Sequence, residues 1–340
     1  MSDKAFGELL KLVKNILPEG NELPETTYEA KKVVCPLGLE VHKIHACPND
    51  CILYRGEEYE NLEAYPVCKA LRYKIRRDDP GDVDGQPSKK RVPAKVMWYF
   101  PIIPRLKRLF RNKEHASMMR WHAEERQQDG MLRHPADGSQ WRNIDRTFPD
   151  FGEDARNVRF GLSTDGMNPF GEMSSGHSTW PVTMCIYNLP PWLCMKRKYI
   201  MMPIIIQGPK QPGNDIDVYL RPLVEDLKLL WKKEGVPVWD EDKQEEFNLR
   251  ALLFVTINDW PALSDLSGQS NKGYKACTHC MDETKSTYLK HCKKVVYMGH
   301  RRFLVATHPV RKKGKHFEQK ADVTPRFSIG IKNYLIIHFP

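Results

Sequence analysis

The order of apolar segments between Asn157 and Asp259 limits the folds available to this chain more than any other feature of its sequence. Three segments with the length and residue types of β-strands come first, at 157–165, 178–189 and 198–208. A helical pattern then starts after Asp215 and stops at Gly235, and a fourth strand-like segment covers 249–257. The predicted order is β-β-β-α-β, which belongs to the α/β class.

The lengths of the connections predict how these strands are arranged. Short connections favour an antiparallel meander for the first three strands, whereas the long helical crossover favours a fourth strand that is parallel to the first. Pro203 interrupts the third strand, and because proline is tolerated mainly on edge strands, we expect that strand at the sheet edge. Asp165 and Asp259 then follow the carboxyl ends of two adjacent parallel strands.

Two carboxylates that converge in this way repel each other unless a cation lies between them. Hard oxygen ligands suit Mg²⁺ or Mn²⁺, and such ions at Asp165 and Asp259 would support attack on a phosphodiester. A plainer interpretation is also open, because Gly166 follows the first acid and Trp260-Pro261 follows the second. In that interpretation the two acids are a turn residue and a helix N-cap.

Nine cysteines in a chain of this length indicate reduced thiols and metal ligands, not a disulfide framework. Cys277 and Cys280 form a C-x-x-C pair, which is half of a tetrahedral Zn²⁺ site. His291 or Cys292 would complete that site, or the partners lie outside this chain. A redox pair is the alternative, but the surrounding sequence lacks the strand and helix of a thioredoxin-like unit.

A second candidate Zn²⁺ site lies near the amino terminus. Cys47, Cys51 and Cys68 supply three thiols and leave one ligand position open. The nearby candidates for the fourth ligand are Cys35, His42 and His45.

Positive charge is concentrated in one stretch. Segment 69–146 contains 19 Lys and Arg against 10 Asp and Glu, which is nearly the whole of the net charge of +10. Such a block suits DNA phosphates, although it also fits an ordinary solvated surface. Residues 94–134 have a largely helical pattern in which aromatic and basic residues are interleaved. The aromatic side chains could stack on DNA bases, or they could form a packed core that basic residues surround. The predicted DNA contacts are Arg105, Lys107, Arg108, Arg111 and Arg120.

Several short motifs together resemble the transposases of plant CACTA (En/Spm-like) elements, over roughly residues 5–318. These motifs are Lys43–Arg55, Phe100–Leu106, Arg120–His122, Leu132–Gly138, Arg156–Arg159, Thr164–Gly166, Asn168–Gly171, Trp180–Val182, Tyr187–Pro191, Asn214–Leu220, Thr256–Asp259 and His300–Leu304.

The resemblance implies an RNase H-like catalytic domain of the DDE type, with Asp165 as its first acid and Asp259 as its second. It implies Mg²⁺ or Mn²⁺ as cofactor, and a Zn²⁺-bearing insertion that begins at Cys277 and Cys280. The implied partner is DNA at transposon ends, and the implied location is the nucleus. We expect no membrane partner, because no apolar run approaches the roughly 18 residues of a membrane helix. A homo-oligomer is compatible with these expectations.

Two departures from the family pattern change what we expect of the zinc site and of catalysis. Tyr65 stands where the first cysteine of a C-P-x-C knuckle is usual, so the amino-terminal zinc site lacks an expected ligand. The third acid, a glutamate in the family, has no counterpart that we can identify. We therefore expect a truncated and catalytically inactive copy; the alternative is a non-catalytic module that binds zinc and DNA.

The same reasoning divides the chain into five regions. They are an amino-terminal helix with the first cysteine group at 1–72, a polar linker at 73–95, a basic helical region at 96–150, a partial catalytic domain with the C-x-x-C insertion at 151–320, and a tail outside the family pattern at 321–340.

Overall fold

The computed structural model describes residues 3–18, 20–34, 40–75, 91–169, 171, 177–270, 272–277, 282, 284–297 and 309. Within these ranges the strands are β1 (His42–Ala46), β2 (Lys95–Tyr99), β3 (Val158–Thr164), β4 (Trp180–Ile186), β5 (Met201–Ile206), β6 (Val236–Asp240), β7 (Glu245–Leu249), β8 (Ala251–Thr256), β9 (Ser286–Leu289) and β10 (Lys294–Tyr297). The α-helices are α1 (Asp3–Ile16), α2 (Thr27–Val34), α3 (Gly56–Tyr59), α4 (Ile102–Phe110), α5 (Lys113–Met118), α6 (Trp121–Glu124), α7 (Ser139–Thr147), α8 (Pro149–Gly152), α9 (Pro191–Cys194), α10 (Ile216–Trp231) and α11 (Trp260–Ser267). No helix among these residues has the length and hydropathy that crossing a membrane requires.

Six strands form one mixed sheet in the order β1-β2-β5-β4-β3-β8. β3, β4 and β5 are antiparallel neighbours, and β8 pairs with β3 in parallel, from Val158 with Ala251 to Leu162 with Thr256. The α/β class, the meander and the parallel fourth strand are therefore confirmed. The crossover contains elements that the sequence did not predict, because the hairpin of β6 and β7 lies between α10 and β8.

The prediction that the third strand lies at the sheet edge is wrong. β5 is an interior strand between β2 and β4. Pro203 is tolerated there because it falls at a register shift: Val182 pairs with Ile204 and Met184 pairs with Met201, so two β5 residues oppose one residue of β4. The carbonyl oxygen of Pro203 accepts a hydrogen bond from Phe100 N at 2.7 Å, so its bonding to the β2 side is kept.

The segment predicted to be largely helical begins with a strand. Lys95–Tyr99 forms β2, which pairs with β1 on one side and with β5 on the other. Both faces of β2 are covered, so its apolar residues do not alternate and give no period of two. Helix formation starts only after Pro101, where Ile102, Leu106 and Phe110 form the buried stripe of α4.

Helices cover both faces of this sheet. α10 buries one apolar stripe against the main core, as its periodicity predicts, and Pro222 lies buried inside the helix. A smaller core on the other face contains Trp141 of α7 with Tyr187 and Phe254. Gly161 of β3 faces this second core, and a Cβ there would lie 2.7 Å from the Tyr187 ring, so a side chain does not fit.

Candidate functional site

The parallel pair of β3 and β8 places the two predicted metal ligands at the same edge of the sheet. Ile257 N donates to Leu162 O at 2.8 Å, and Thr164 N donates to Asn258 Oδ1 at 2.8 Å. These bonds join the two segments as far as Thr164 and Asn258, which directly precede Asp165 and Asp259. Both acids are exposed to solvent.

Asp259 is also a helix cap, as the plainer interpretation of the sequence predicts. It is the N-cap residue of α11, and its Oδ1 accepts from Ala262 N at 3.0 Å. A carboxylate has two oxygens with about four lone-pair sites, so this one bond leaves the second oxygen free for a ligand. Capping and metal binding are therefore compatible at this residue.

The charge of Asp259 acts on a second acid of α11. Partial burial raises the pKa of Asp265 above its usual value, and the negative charge of Asp259 raises that pKa further. The carboxylates of Asp259 and Asp265 therefore repel each other across the first turns of α11.

Two side chains that the sequence reasoning did not select support the turn after β3. A Cβ on Gly166 would lie 2.7 Å from Ser178 Oγ and 2.7 Å from Trp180 Nε1, so this turn packs tightly against the start of β4. Trp180 Nε1 and Asn258 Nδ2 are buried donors without a hydrogen-bond acceptor in the described part of the chain. The sequence signal was present in both cases, since both residues belong to motifs of the resemblance.

The three amino-terminal thiols do come together. The sulfur atoms of Cys47, Cys51 and Cys68 lie within 4.8 Å of one another, and the group could hold a metal such as zinc. Burial raises the pKa of the Cys47 thiol, and it raises the pKa of Cys51 to about 12. A backbone hydrogen bond from Ala70 instead lowers the pKa of Cys68.

The fourth position of this group is not supplied by the nearby histidines in their present contacts. His45 Nδ1 accepts from Arg72 Nε at 3.0 Å, and His42 pairs with Glu40 at 3.3 Å. Tyr65, which replaces the expected cysteine, packs beside the thiols in their small apolar cluster. Cys35 lies outside the described residues.

The second cysteine group is only partly described. Cys277 is half-buried, and His291 and Cys292 are exposed in the turn that joins β9 to β10. Cys280 lies outside the described residues, and the other three do not form a three-ligand group within the ranges that the structure covers.

The predicted DNA contacts have very different environments. Arg108 and Arg111 are exposed on and after α4, Lys107 is half-buried, and burial lowers the pKa of Arg105. The Arg120 side chain is only 7% exposed, and its guanidinium pairs with three carboxylates, those of Glu124 at 2.8 Å, Asp240 at 3.4 Å and Asp242 at 2.6 Å. Arg120 therefore joins α6 to the hairpin of β6 and β7, and in this arrangement it does not face solvent.

Comparison with known protein families identifies a match over the part of the chain that contains these acids. Residues 129–328 match the family model described as Transposase family tnp2. This range is more than half of the chain, and it includes β3, β8 and both acids at their ends. No curated protein matches the chain.

Proposed function

Because the chain belongs to the transposase family tnp2, we propose that it is a DDE-type DNA transposase of a CACTA-like element, acting in the nucleus on DNA at transposon ends. Asp165 and Asp259 are the proposed first and second acids of an RNase H-like domain. The third acid has no counterpart in a matching motif, so we propose that this chain is catalytically inactive by itself. Its interaction with a divalent ion and with DNA is then what remains of the ancestral activity.

One observation carries the assignment of the acids. β3 and β8 are parallel neighbours, and each is followed within three residues by an exposed aspartate. The carboxyl ends of adjacent parallel strands are the usual place of ligand sites in α/β sheets. The hydrogen bond from Thr164 N to Asn258 Oδ1 supports this arrangement, because it joins the two strand ends one residue before each acid.

The donor set fits a hard divalent cation. Oxygen ligands from one or two carboxylates, with several waters retained, are typical of Mg²⁺ and also suit Mn²⁺. When bound, such an ion supplies Lewis acidity and activates a water or a 3′-hydroxyl for attack on a phosphodiester. Asp165 and Asp259 hold the cation, and the cap that Asp259 forms on α11 fixes the orientation of that carboxylate.

Exposed basic residues supply the proposed contacts to the DNA backbone. Arg108 and Arg111 lie where the amphipathic α4 turns its polar face to solvent. Such residues bind phosphates and hold the protein on the duplex without reading its sequence.

A second candidate function is a non-catalytic module that binds zinc and DNA. The observation that favours it is the convergence of Cys47, Cys51 and Cys68, since three thiolates supply most of a tetrahedral Zn²⁺ site. Zinc at this position would stabilise the segment that carries β1 at the sheet edge. This role and the DDE assignment concern different residues and can be tested separately.

Calorimetric titration of the full chain with Mn²⁺ tests the two acids. Asp165→Asn and Asp259→Asn should each weaken Mn²⁺ binding at least about tenfold, which is about 1.4 kcal/mol. Asparagine is a good N-cap, so the variant at Asp259 keeps the start of α11. Asp150→Asn is the matched control, because Asp150 is exposed on α8 at the other end of β3. Unchanged Mn²⁺ affinity in both site variants would overturn the assignment.

Binding and cleavage of DNA distinguish the two candidate functions. The inactive transposase should bind a duplex without nicking it in Mg²⁺ or Mn²⁺, and Arg108→Gln with Arg111→Gln should weaken that binding and reduce its dependence on salt. Nicking that both acid variants abolish would instead show an active enzyme. DNA binding together with an absence of Mn²⁺ binding would favour the non-catalytic module.

A further inference from the structure

A cavity of about 490 Å³ lies at the amino end of β3, at the opposite end of that strand from Asp165. Its walls come from α6, α7 and α8, from the segments between α6 and α7 and between α8 and β3, and from the second residue of β3. The charged and titratable residues among its lining are Arg126, Arg142, Arg159, Asp137, Asp145 and His122. The volume falls within the range of small-ligand pockets, which is roughly 300–1,000 Å³.

The ion pairs in the cavity leave one positive charge uncompensated. Arg159 pairs with Asp145, and Arg126 pairs with Asp137. The Arg142 guanidinium donates to the carbonyl oxygen of Asp137 at 2.8 Å, and no carboxylate of the described residues pairs with it. A negatively charged group would therefore complete the balance of charge in the cavity.

Arg159 is the buried part of this arrangement. Its side chain is 2% exposed, its guanidinium lies 4.1 Å from the centre of the Trp141 ring, and its Nε has no acceptor among the described residues. Burial lowers the pKa of Arg159, with Asp145 opposing that effect. An unsatisfied buried donor on a charged group costs free energy, which an anionic oxygen in the cavity would recover.

His122 adds a second unsatisfied atom to the same cavity. This residue is 5% exposed, and its Nδ1 has no partner in the described part of the chain. Burial and then the charge of Arg159 lower the pKa of His122 to about 3, so the ring is neutral at pH 7. A hydrogen bond to the Asn188 backbone engages the ring, which leaves Nδ1 as an acceptor for a hydroxyl group.

We propose that this cavity is a phosphate-binding site, in which Arg142 and Arg159 bind the phosphate oxygens and, where the ligand carries a hydroxyl group as a nucleotide does, His122 accepts from that group. The phosphate comes either from the DNA backbone or from a free nucleotide. The six residue-to-residue steps from Arg159 to Asp165 correspond to about 20 Å of extended strand. The site is thus separate from the two proposed metal ligands and does not depend on the transposase assignment.

Inorganic phosphate is the probe for the site itself. Titration of the full chain, followed by calorimetry and by the melting temperature, should show binding that raises the melting temperature. Arg142→Gln should weaken phosphate binding at least tenfold, and because Arg142 is exposed, this variant is expected to fold. Arg146→Gln is the matched control, since Arg146 lies on the same helix, is exposed and does not line the cavity.

His122→Phe tests the hydroxyl contact with a nucleotide. This variant should bind deoxyadenosine monophosphate more weakly than the wild-type chain does, and a melting temperature close to the wild-type value shows that it is folded. Failure of phosphate to bind, or equal binding by wild-type protein and Arg142→Gln, overturns the proposal.

Competition identifies the source of the phosphate. If a short duplex displaces inorganic phosphate, the site contacts the DNA backbone; if deoxyadenosine monophosphate displaces it and the duplex does not, the ligand is a free nucleotide. Asp165→Asn should leave phosphate affinity unchanged in either case. A loss of Mn²⁺ binding is thus distinguishable from a loss of the phosphate site.

Discussion

Asn258 offers the most direct test of how the fold positions the candidate metal site. Its Oδ1 accepts from the backbone of Thr164 at 2.8 Å, and Thr164 is 2% exposed. Asn258→Ala removes this acceptor and leaves a buried N–H without a partner. Loss of one buried hydrogen bond of this kind costs about 1–3 kcal/mol. Because the bond joins the two strand ends directly before Asp165 and Asp259, we expect Mn²⁺ affinity to fall together with stability.

Asn188 provides a matched control at the other end of β3. It is fully buried, its Oδ1 accepts from Arg159 N at 2.9 Å, and its Nδ2 donates to Asn157 O at 2.9 Å. Asn188→Ala removes more bonds than Asn258→Ala, so it should lower the free energy of unfolding by at least as much. Its effect on Mn²⁺ affinity should be small, because it lies a full strand length from the acids.

Urea unfolding and Mn²⁺ calorimetry on the two variants check this reasoning. The expected result is a loss of stability in both variants and a loss of Mn²⁺ affinity in Asn258→Ala alone. Equal losses of Mn²⁺ affinity in both variants would mean that general loosening of the sheet is responsible. Unchanged Mn²⁺ affinity and stability in Asn258→Ala would refute the role given to this hydrogen bond.

Three further outcomes follow from single contacts. Asp50→Asn should lower the free energy of unfolding by about 3–5 kcal/mol in urea denaturation, because it leaves the buried ammonium of Lys95 without its ion pair. Cys47→Ser should lower the number of bound Zn²⁺ ions by one in a chelator competition assay, whatever the second cysteine group binds; in the wild-type chain, Zn²⁺ uptake at this group should weaken as pH falls, since burial raises the pKa of the Cys47 thiol. Asp265→Asn should raise the melting temperature at pH 7 and change it little at pH 3. The pKa of Asp265 is raised in the folded state, so ionisation of this carboxyl group lowers the stability of the folded protein as pH rises from the usual pKa through the raised one.

The candidate acids were predictable because their positions depend on rules that act along the chain. The apolar stripe of α10 has a helical period, and a strand, a long crossover and a further strand favour parallel pairing. Asp165 follows β3 directly, and Asp259 follows β8 within three residues. The role of Asn258 was not predictable, because its acceptor bonds a residue 94 positions away.

Local sequence pattern decided the strands β3, β4, β5 and β8, the helix α10 and the cap at Asp259. Tertiary structure alone decided that β2 pairs with β5. This pairing depends on hydrogen bonds between segments far apart in the chain, which the local spacing of apolar residues does not predict. The same is true of Arg120, whose basic character suggested DNA but whose partners Asp240 and Asp242 arrive from a hairpin 120 residues later. Burial of that guanidinium against carboxylates is favourable only once the two segments are folded together. A basic residue in the sequence is therefore not always a basic residue on the protein surface.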